Sequence, residues 1–223
     1  MPSFTLPRSP DPLVADVDPD PITEAALKPF DLDPVTPTHF FPYEIPAELP
    51  EDFGVGLIVG ASGSGKSRLL SEFGTPAVPT WEPRRSIASH FATAEEAAER
   101  FYAVGLNSVP VWKLPYAVLS NGQRFRADLA RVIGTGAVVD EFTSVVDRNV
   151  AISASRALSA WVERTATRRL VLASCHRDVV SWLRPEWVID TDAGTLTVGE
   201  VEDRPRWYAE HTTGEQVGRL VLA

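Results

Sequence analysis

At 223 residues, with 44% hydrophobic and 23% charged side chains, the chain is long enough for one main domain with a sizeable core. A single cysteine, Cys175, excludes an intrachain disulfide framework and a cysteine-built metal cluster. No apolar run approaches the roughly 20 residues that span a bilayer, and no signal-type leader opens the sequence, so the expectation is a cytoplasmic protein without membrane insertion.

The net charge of -9 is concentrated at one end: residues 1–52 hold 11 acids against Arg8 and Lys28, while residues 53–223 hold 19 acids and 19 bases. The low pI therefore does not exclude a polyanionic partner for the body of the chain. Twelve of the 19 prolines fall in residues 1–50. Their missing donors and fixed φ argue against helices and central strands, so residues 1–38 are expected to be an acidic, partly disordered segment. It serves either as a solvated tail or as an arm that wraps a partner. Short β segments near residues 4–6 or 39–45 are compatible with this reading.

A main domain over residues 39–200 and a C-terminal extension over 201–223 follow. From Phe53 onward apolar runs alternate with helical patterns, which is the signature of an α/β sheet covered by helices. Residues 54–60 read as a buried strand and 66–73 as the helix it feeds. Thr93 and Glu96 form a capping box for a helix toward residue 104, and residues 121–133 give an amphipathic helix. Residues 137–140 read as a strand, 148–165 as a long helix, 170–174 as a strand, and 187–190 and 195–198 as two short terminal strands.

Gly60, Ala61, Ser62, Gly63, Ser64, Gly65, Lys66 and Ser67 fit the phosphate-loop pattern, between a predicted strand and a predicted helix. Glycines let successive N–H groups turn toward phosphate oxygens, and the helix N-terminus adds positive potential. Lys66 reaches the β and γ phosphates, and the Ser67 hydroxyl ligates Mg²⁺. Such a loop needs a carboxylate on a neighbouring strand, and residues 137–141 supply an apolar strand ending in two acids. Asp140 fits the metal, and Glu141 is placed to polarise the water that attacks the γ-phosphate.

The sequence Leu119-Ser120-Asn121-Gly122-Gln123-Arg124 resembles the signature motif of ABC ATPases, with Asn121 where glycine is usual. Residues 126–131 resemble the helix that follows it. Residues 140–147 resemble the joined Walker B and D-loop, with Phe142 where proline is usual, and His176 matches the switch histidine. These motifs span about residues 54–178 in the family's order. The resemblance implies a P-loop NTPase fold of the ABC type with a short helical subdomain, which binds and hydrolyses Mg-ATP. It also implies a homodimer packed head to tail, each ATP lying between the P-loop of one copy and Ser120, Asn121, Gly122 and Gln123 of the other. His176 would bond the γ-phosphate, and Asp147 would cap the helix after the D-loop while its neighbours cross the dimer seam.

Several residues depart from the family pattern. Arg68 stands where a small hydroxyl residue touching the α-phosphate is usual, and no glutamine lies between Ser67 and the signature, Glu82 being the nearest substitute. Phe40, Phe41 and Tyr43 are candidates for stacking on adenine, with core packing as the competing use. Residues 56–60, 114–119 and 141–148 resemble a small phage-type group of soluble ABC ATPases. The leading expectation is an ATP-driven switch acting on a nucleic-acid or protein partner. The ATP-binding subunit of a transporter and a non-hydrolysing nucleotide-dependent scaffold are the rivals.

Overall fold

The computed structural model describes residues 3–18, 20–33 and 36–199, so the expected extension over 201–223 lies outside the described residues. In chain order the elements are β1 (Ser3–Thr5), β2 (Leu13–Ala15), α1 (Pro21–Leu27), β3 (Thr38–Phe40), β4 (Val55–Val59), α2 (Lys66–Leu70), α3 (Ala94–Ala103) and α4 (Val109–Trp112). They continue with α5 (Asn121–Val132), β5 (Val138–Val139), α6 (Arg148–Thr165), β6 (Leu170–Ser174), α7 (Val180–Leu183), β7 (Trp187–Asp190) and β8 (Thr195–Val198). No helix among the described residues is long and apolar enough to cross a membrane.

Six strands form one sheet in the order β1-β8-β7-β4-β6-β5. The strands β7, β4, β6 and β5 run parallel, and β8 and β1 close the other edge in antiparallel sense. The sheet thus draws on residues either side of position 38, and Leu6, just past β1, is buried in the core. Between them β2 and β3 pair separately, with α1 in the connection. Contrary to the expectation of no helix in the proline-rich segment, α1 forms there. Pro21 occupies the first turn, where no donor is needed, and Asp20 caps it by accepting from the Ile22 and Thr23 N–H groups.

Helix caps set the larger elements. Thr93 accepts from Glu96 N–H at 3.1 Å to open α3, and Asp147 accepts from Asn149 and Val150 N–H to open α6. Both α4 and α7 are four residues long, too short for periodicity to reveal them.

The sheet carries a core cluster on each face. Val55, Leu57, Val59, Leu170 and Leu172 pack with α3, α5 and α6. Ile58, Val171, Ala173, Trp187 and Ile189 pack with Leu69 and Leu70 of α2. This alternation follows from the period of two along each strand. Gly56 lies opposite Trp187 in the register, and a Cβ at Gly56 would lie 2.0 Å from Cζ2 of the Trp187 ring. The indole cannot swing away, because Phe53 meets it edge-on at 5.2 Å and Phe73 stacks on it at 5.3 Å.

Gly56→Val should therefore destabilise the fold by about 2 kcal/mol, the usual scale of overpacking, and lower the melting temperature by about 4–8 °C. A denaturant titration and a thermal melt of the two proteins check this; equal stability would contradict the packing of Trp187 over Gly56.

Candidate functional site

Parallel strands release their following loops at one edge of the sheet. At the C-terminal edge, residues 60–67 leave β4, Cys175 and His176 leave β6, and Asp140 and Glu141 leave β5. The order differs from the sequence expectation in one respect. The strand bearing Asp140 does not adjoin β4; β6 lies between them, which sets the acids about 10 Å away across two strand spacings. His176 is thereby placed between the glycine-rich loop and the acids.

Gly63 and Gly65 adopt φ of 80° and 90°, values that residues with a Cβ rarely take. The space at Gly63 is open, since a Cβ there would meet nothing within 4 Å. Lys66 is buried, and its ammonium donates to the Ala61 carbonyl at 2.7 Å. No carboxylate among the described residues pairs with it, so a buried cation stands at the glycine-rich loop with a neutral carbonyl as its partner, an arrangement that favours an anion. The β7–β8 turn braces the loop from behind. Thr191 donates its hydroxyl to the Val59 carbonyl at 3.1 Å and lies 2.6 Å from the Ser64 hydroxyl, and both Asp192 carboxylate oxygens accept from Ala61 N–H. Arg68 bonds Ser71 and Glu72, just past the end of α2.

Of the three aromatic candidates, Phe40 is the one at the loop. A Cβ on Gly65 would lie 2.4 Å from its ring. Phe41 is exposed, while Tyr43 lies under the Arg8 guanidinium at 4.5 Å.

The acid-bearing turn is strained. Glu141 and Thr143 take φ of 52° and 65°, on either side of the fully buried Phe142. Left-handed backbone at two non-glycine residues, one of them β-branched, stores on the order of 1–3 kcal/mol each. Phe142 holds the turn by two means: its ring is buried, and its N–H donates to the Ala173 carbonyl at 2.7 Å. A proline at this position has no N–H to donate. Asp140 accepts from Glu141 N–H at 2.8 Å. Asp140, Glu141, Asn121 and Val145 line a cavity of about 520 Å³ together with residues 76–79. That stretch, not Glu82, faces the acids. Glu82 is exposed and pairs with Arg85 at 2.6 Å.

His176 is fixed through Thr143, whose hydroxyl lies 3.3 Å from Nδ1, and its own N–H donates to Ser174 Oγ at 3.0 Å. Ser120 caps α5 in a reciprocal box, accepting from Gln123 N–H while its own N–H donates to Gln123 Oε1 at 3.0 Å. A Cβ at Gly122 would lie 3.0 Å from Val150 of α6, so the signature turn and the helix capped by Asp147 pack closely. Burial lowers the pKa of Arg126 on α5, opposed by the Asp147 carboxylate.

The structure therefore places the sequence-predicted residues in four groups: the glycine-rich loop with Arg68 on the helix after it, the acids with Asn121 at one cavity, His176, and the α5 cap of Ser120 and Gln123 with Gly122 packed against the helix that Asp147 caps. Sequence reasoning missed Thr143, Arg177, Thr191 and Asp192. The sequence signals were two, a charged residue beside His176 and an Asp-Thr-Asp run at the end of β7, and neither reveals its partner. Among the described residues no group of three or more His, Cys, Asp or Glu side chains could hold a metal. The donor set of Ser67 and Asp140 fits a Mg²⁺ that is held largely by phosphate oxygens and water.

No protein-family model matches the chain, and no curated protein sequence matches it. Solved structures do. A protein assigned as a metal-chelate type ABC transporter, in an inward-facing conformation, superposes with a TM-score of 0.50 at 17% identity, over 82% of this chain and 83% of that one. The ATP-binding cassette MJ0796, in a dimeric post-hydrolysis state with ADP and Pi, gives a TM-score of 0.50 at 15% identity, over 69% and 87%. These likenesses are of fold, and with the sheet order above they establish that the chain has the α/β fold of an ABC-type ATP-binding cassette.

Proposed function

We propose that the chain binds Mg-ATP on the loop from Gly60 to Ser67 and hydrolyses it between two copies packed head to tail. The observation that carries this reading is the buried, carboxylate-free Lys66 at the mouth of an open glycine-rich loop, on the same sheet edge as Asp140, Glu141 and His176. In the proposed state N–H groups of the loop beyond Ala61 cradle the phosphates and Lys66 swings from the Ala61 carbonyl to the β and γ phosphates. Ser67 and Asp140 hold Mg²⁺, which neutralises phosphate charge.

Glu141 orients the attacking water as general base, and the strained turn keeps its carboxylate at the end of β5. His176 uses the bond from Nδ1 to Thr143 to fix its ring while the other nitrogen meets the γ-phosphate. Ser120, Asn121, Gly122 and Gln123 sit at the N-terminus of the twelve-residue α5, whose positive end suits a γ-phosphate presented by a second copy. We place the protein in the cytoplasm and assign the cycle to switching a protein or nucleic-acid partner. A cassette serving a membrane partner is the second reading, and the fold likeness to a transporter favours it.

Lys66→Ala should weaken ATP binding by about 100-fold, because charge-assisted bonds to phosphate are lost while the sheet core is untouched. Calorimetric titration of the folded variant tests this, and unchanged affinity would refute the phosphate-loop role. Glu141→Gln should retain ATP affinity and lose hydrolysis by about 10²–10⁴-fold, measured as phosphate release. Hydrolysis at the wild-type rate would remove Glu141 from the mechanism.

A further inference from the structure

The loop after β6 is pinned by the two residues that follow His176, and the two pins lead to different motifs. In the first the guanidinium of Arg177 forks onto Asp190, with Nε to Oδ2 at 2.9 Å and Nη2 to Oδ1 at 3.0 Å, and Nη2 also donates to Asp192 Oδ2. In the second the carboxylate of Asp178, buried to 2% exposure, pairs with Arg148 of α6. Arg148 follows the capping Asp147 directly and lies over the Trp182 ring at 4.8 Å.

The Arg177 side reaches the glycine-rich loop itself. Asp192 accepts from Ala61 N–H at 2.9 and 3.1 Å, and the Ala61 carbonyl is the group that Lys66 holds at 2.7 Å. Ala61 is therefore the residue at which Lys66 and Asp192 meet. The Ala61 carbonyl also accepts from Ser64 N–H at 3.2 Å, so if Lys66 leaves it for a phosphate, Ala61 loses its charged partner while the Asp192 and Ser64 bonds remain, and the change in load falls on the link from Asp192 to Arg177, adjacent to His176. Asp190 is itself held firmly. It accepts from Asp192 and Ala193 N–H, and although burial raises its pKa, Arg177 and these bonds hold it below the ordinary carboxylate value. A planar five-donor fork bridging two carboxylates is a rigid link of the kind a lysine cannot reproduce in full.

The geometry points to Arg177 as a positioning residue that, through Asp192 and Ala61, couples occupancy of the glycine-rich loop to the placement of the His176 ring. This rests on the proposed ATP chemistry and deepens it. Arg177 itself does not touch nucleotide; it acts through its neighbours.

The test combines steady-state ATPase kinetics with a spectroscopic reading of the ring. The chain has 4 histidines, so ¹⁵N-histidine labelling gives a spectrum in which the His176 signals are assigned with His176→Ala. In the wild type, a non-hydrolysable ATP analogue should shift those signals. In Arg177→Ala the analogue should still bind, within about threefold of wild-type affinity, while the His176 shift is lost. The kcat should fall at least about tenfold with KM changed less than about threefold, the pattern of a lost transition-state contact. Arg177→Lys should recover part of kcat. Asp192→Ala should reproduce the Arg177→Ala effect, and the double variant should be no worse than either single, as expected of two residues in one link.

A full wild-type response of His176 in Arg177→Ala, or losses from the two single variants that multiply in the double, would overturn the link while leaving ATP hydrolysis in place. A wild-type chain that neither binds nor hydrolyses ATP would overturn both readings. Thermal melts of each variant confirm that the loss is not one of fold.

Discussion

The parallel pairing of β4 with β6, with Val59 opposite Ser174, is the constraint on which the site depends. It fixes how far the loop from Gly60 stands from His176, and the further pairing of β5 with β6 fixes Asp140 and Glu141 one strand beyond. Because strands in a sheet lie about 4.8 Å apart, three short loops at one edge span about the length of a triphosphate with its metal and water. The core on both faces exists to hold that alignment. Gly56 leaves room for Trp187, Phe53 and Phe73 clamp the indole, and α2 is seated on the same face by Leu69 and Leu70.

On that frame the structure stores strain where the proposed chemistry sits. Glu141 and Thr143 are left-handed, and the turn persists because Phe142 is buried and bonded to β6 between them. Thr143 serves two motifs, since its strained backbone follows Glu141 and its hydroxyl meets His176. The acid and the histidine are thus parts of one rigid unit, and the glycine-rich loop is joined to it from the other side by Asp192 and Arg177. The proposed binding and cleavage of one phosphate would require this kind of mutual fixation.

Much of this was legible in the sequence wherever the physics is local. The spacing of Gly60, Gly65 and Lys66 encodes its own loop, Ser120 with Gln123 and Asp147 with Asn149 encode their caps, and α6, β6, β7 and β8 begin and end where the patterns change. What depends on residues far apart in the chain was not legible. The insertion of β6 between β4 and β5 is a matter of strand order, the pairing of Arg177 with Asp192 spans 15 positions, and the fit of Trp187 over Gly56 spans the whole domain. In α1, a proline phrase that signals a break turned out to supply a cap and a first-turn residue.

The central claim is that ATP is held between two copies, and mass in solution tests it most directly. With Mg-ATP, light scattering on Glu141→Gln should report twice the 24.4 kDa of one chain, because an uncleaved nucleotide keeps the loop of each copy bridged to Ser120 of the other. Adding Ser120→Arg should return the mass to that of one chain by filling the γ-phosphate contact with a bulky side chain. A Glu141→Gln protein that binds ATP yet stays monomeric, or a dimer that survives Ser120→Arg, would contradict the head-to-tail arrangement.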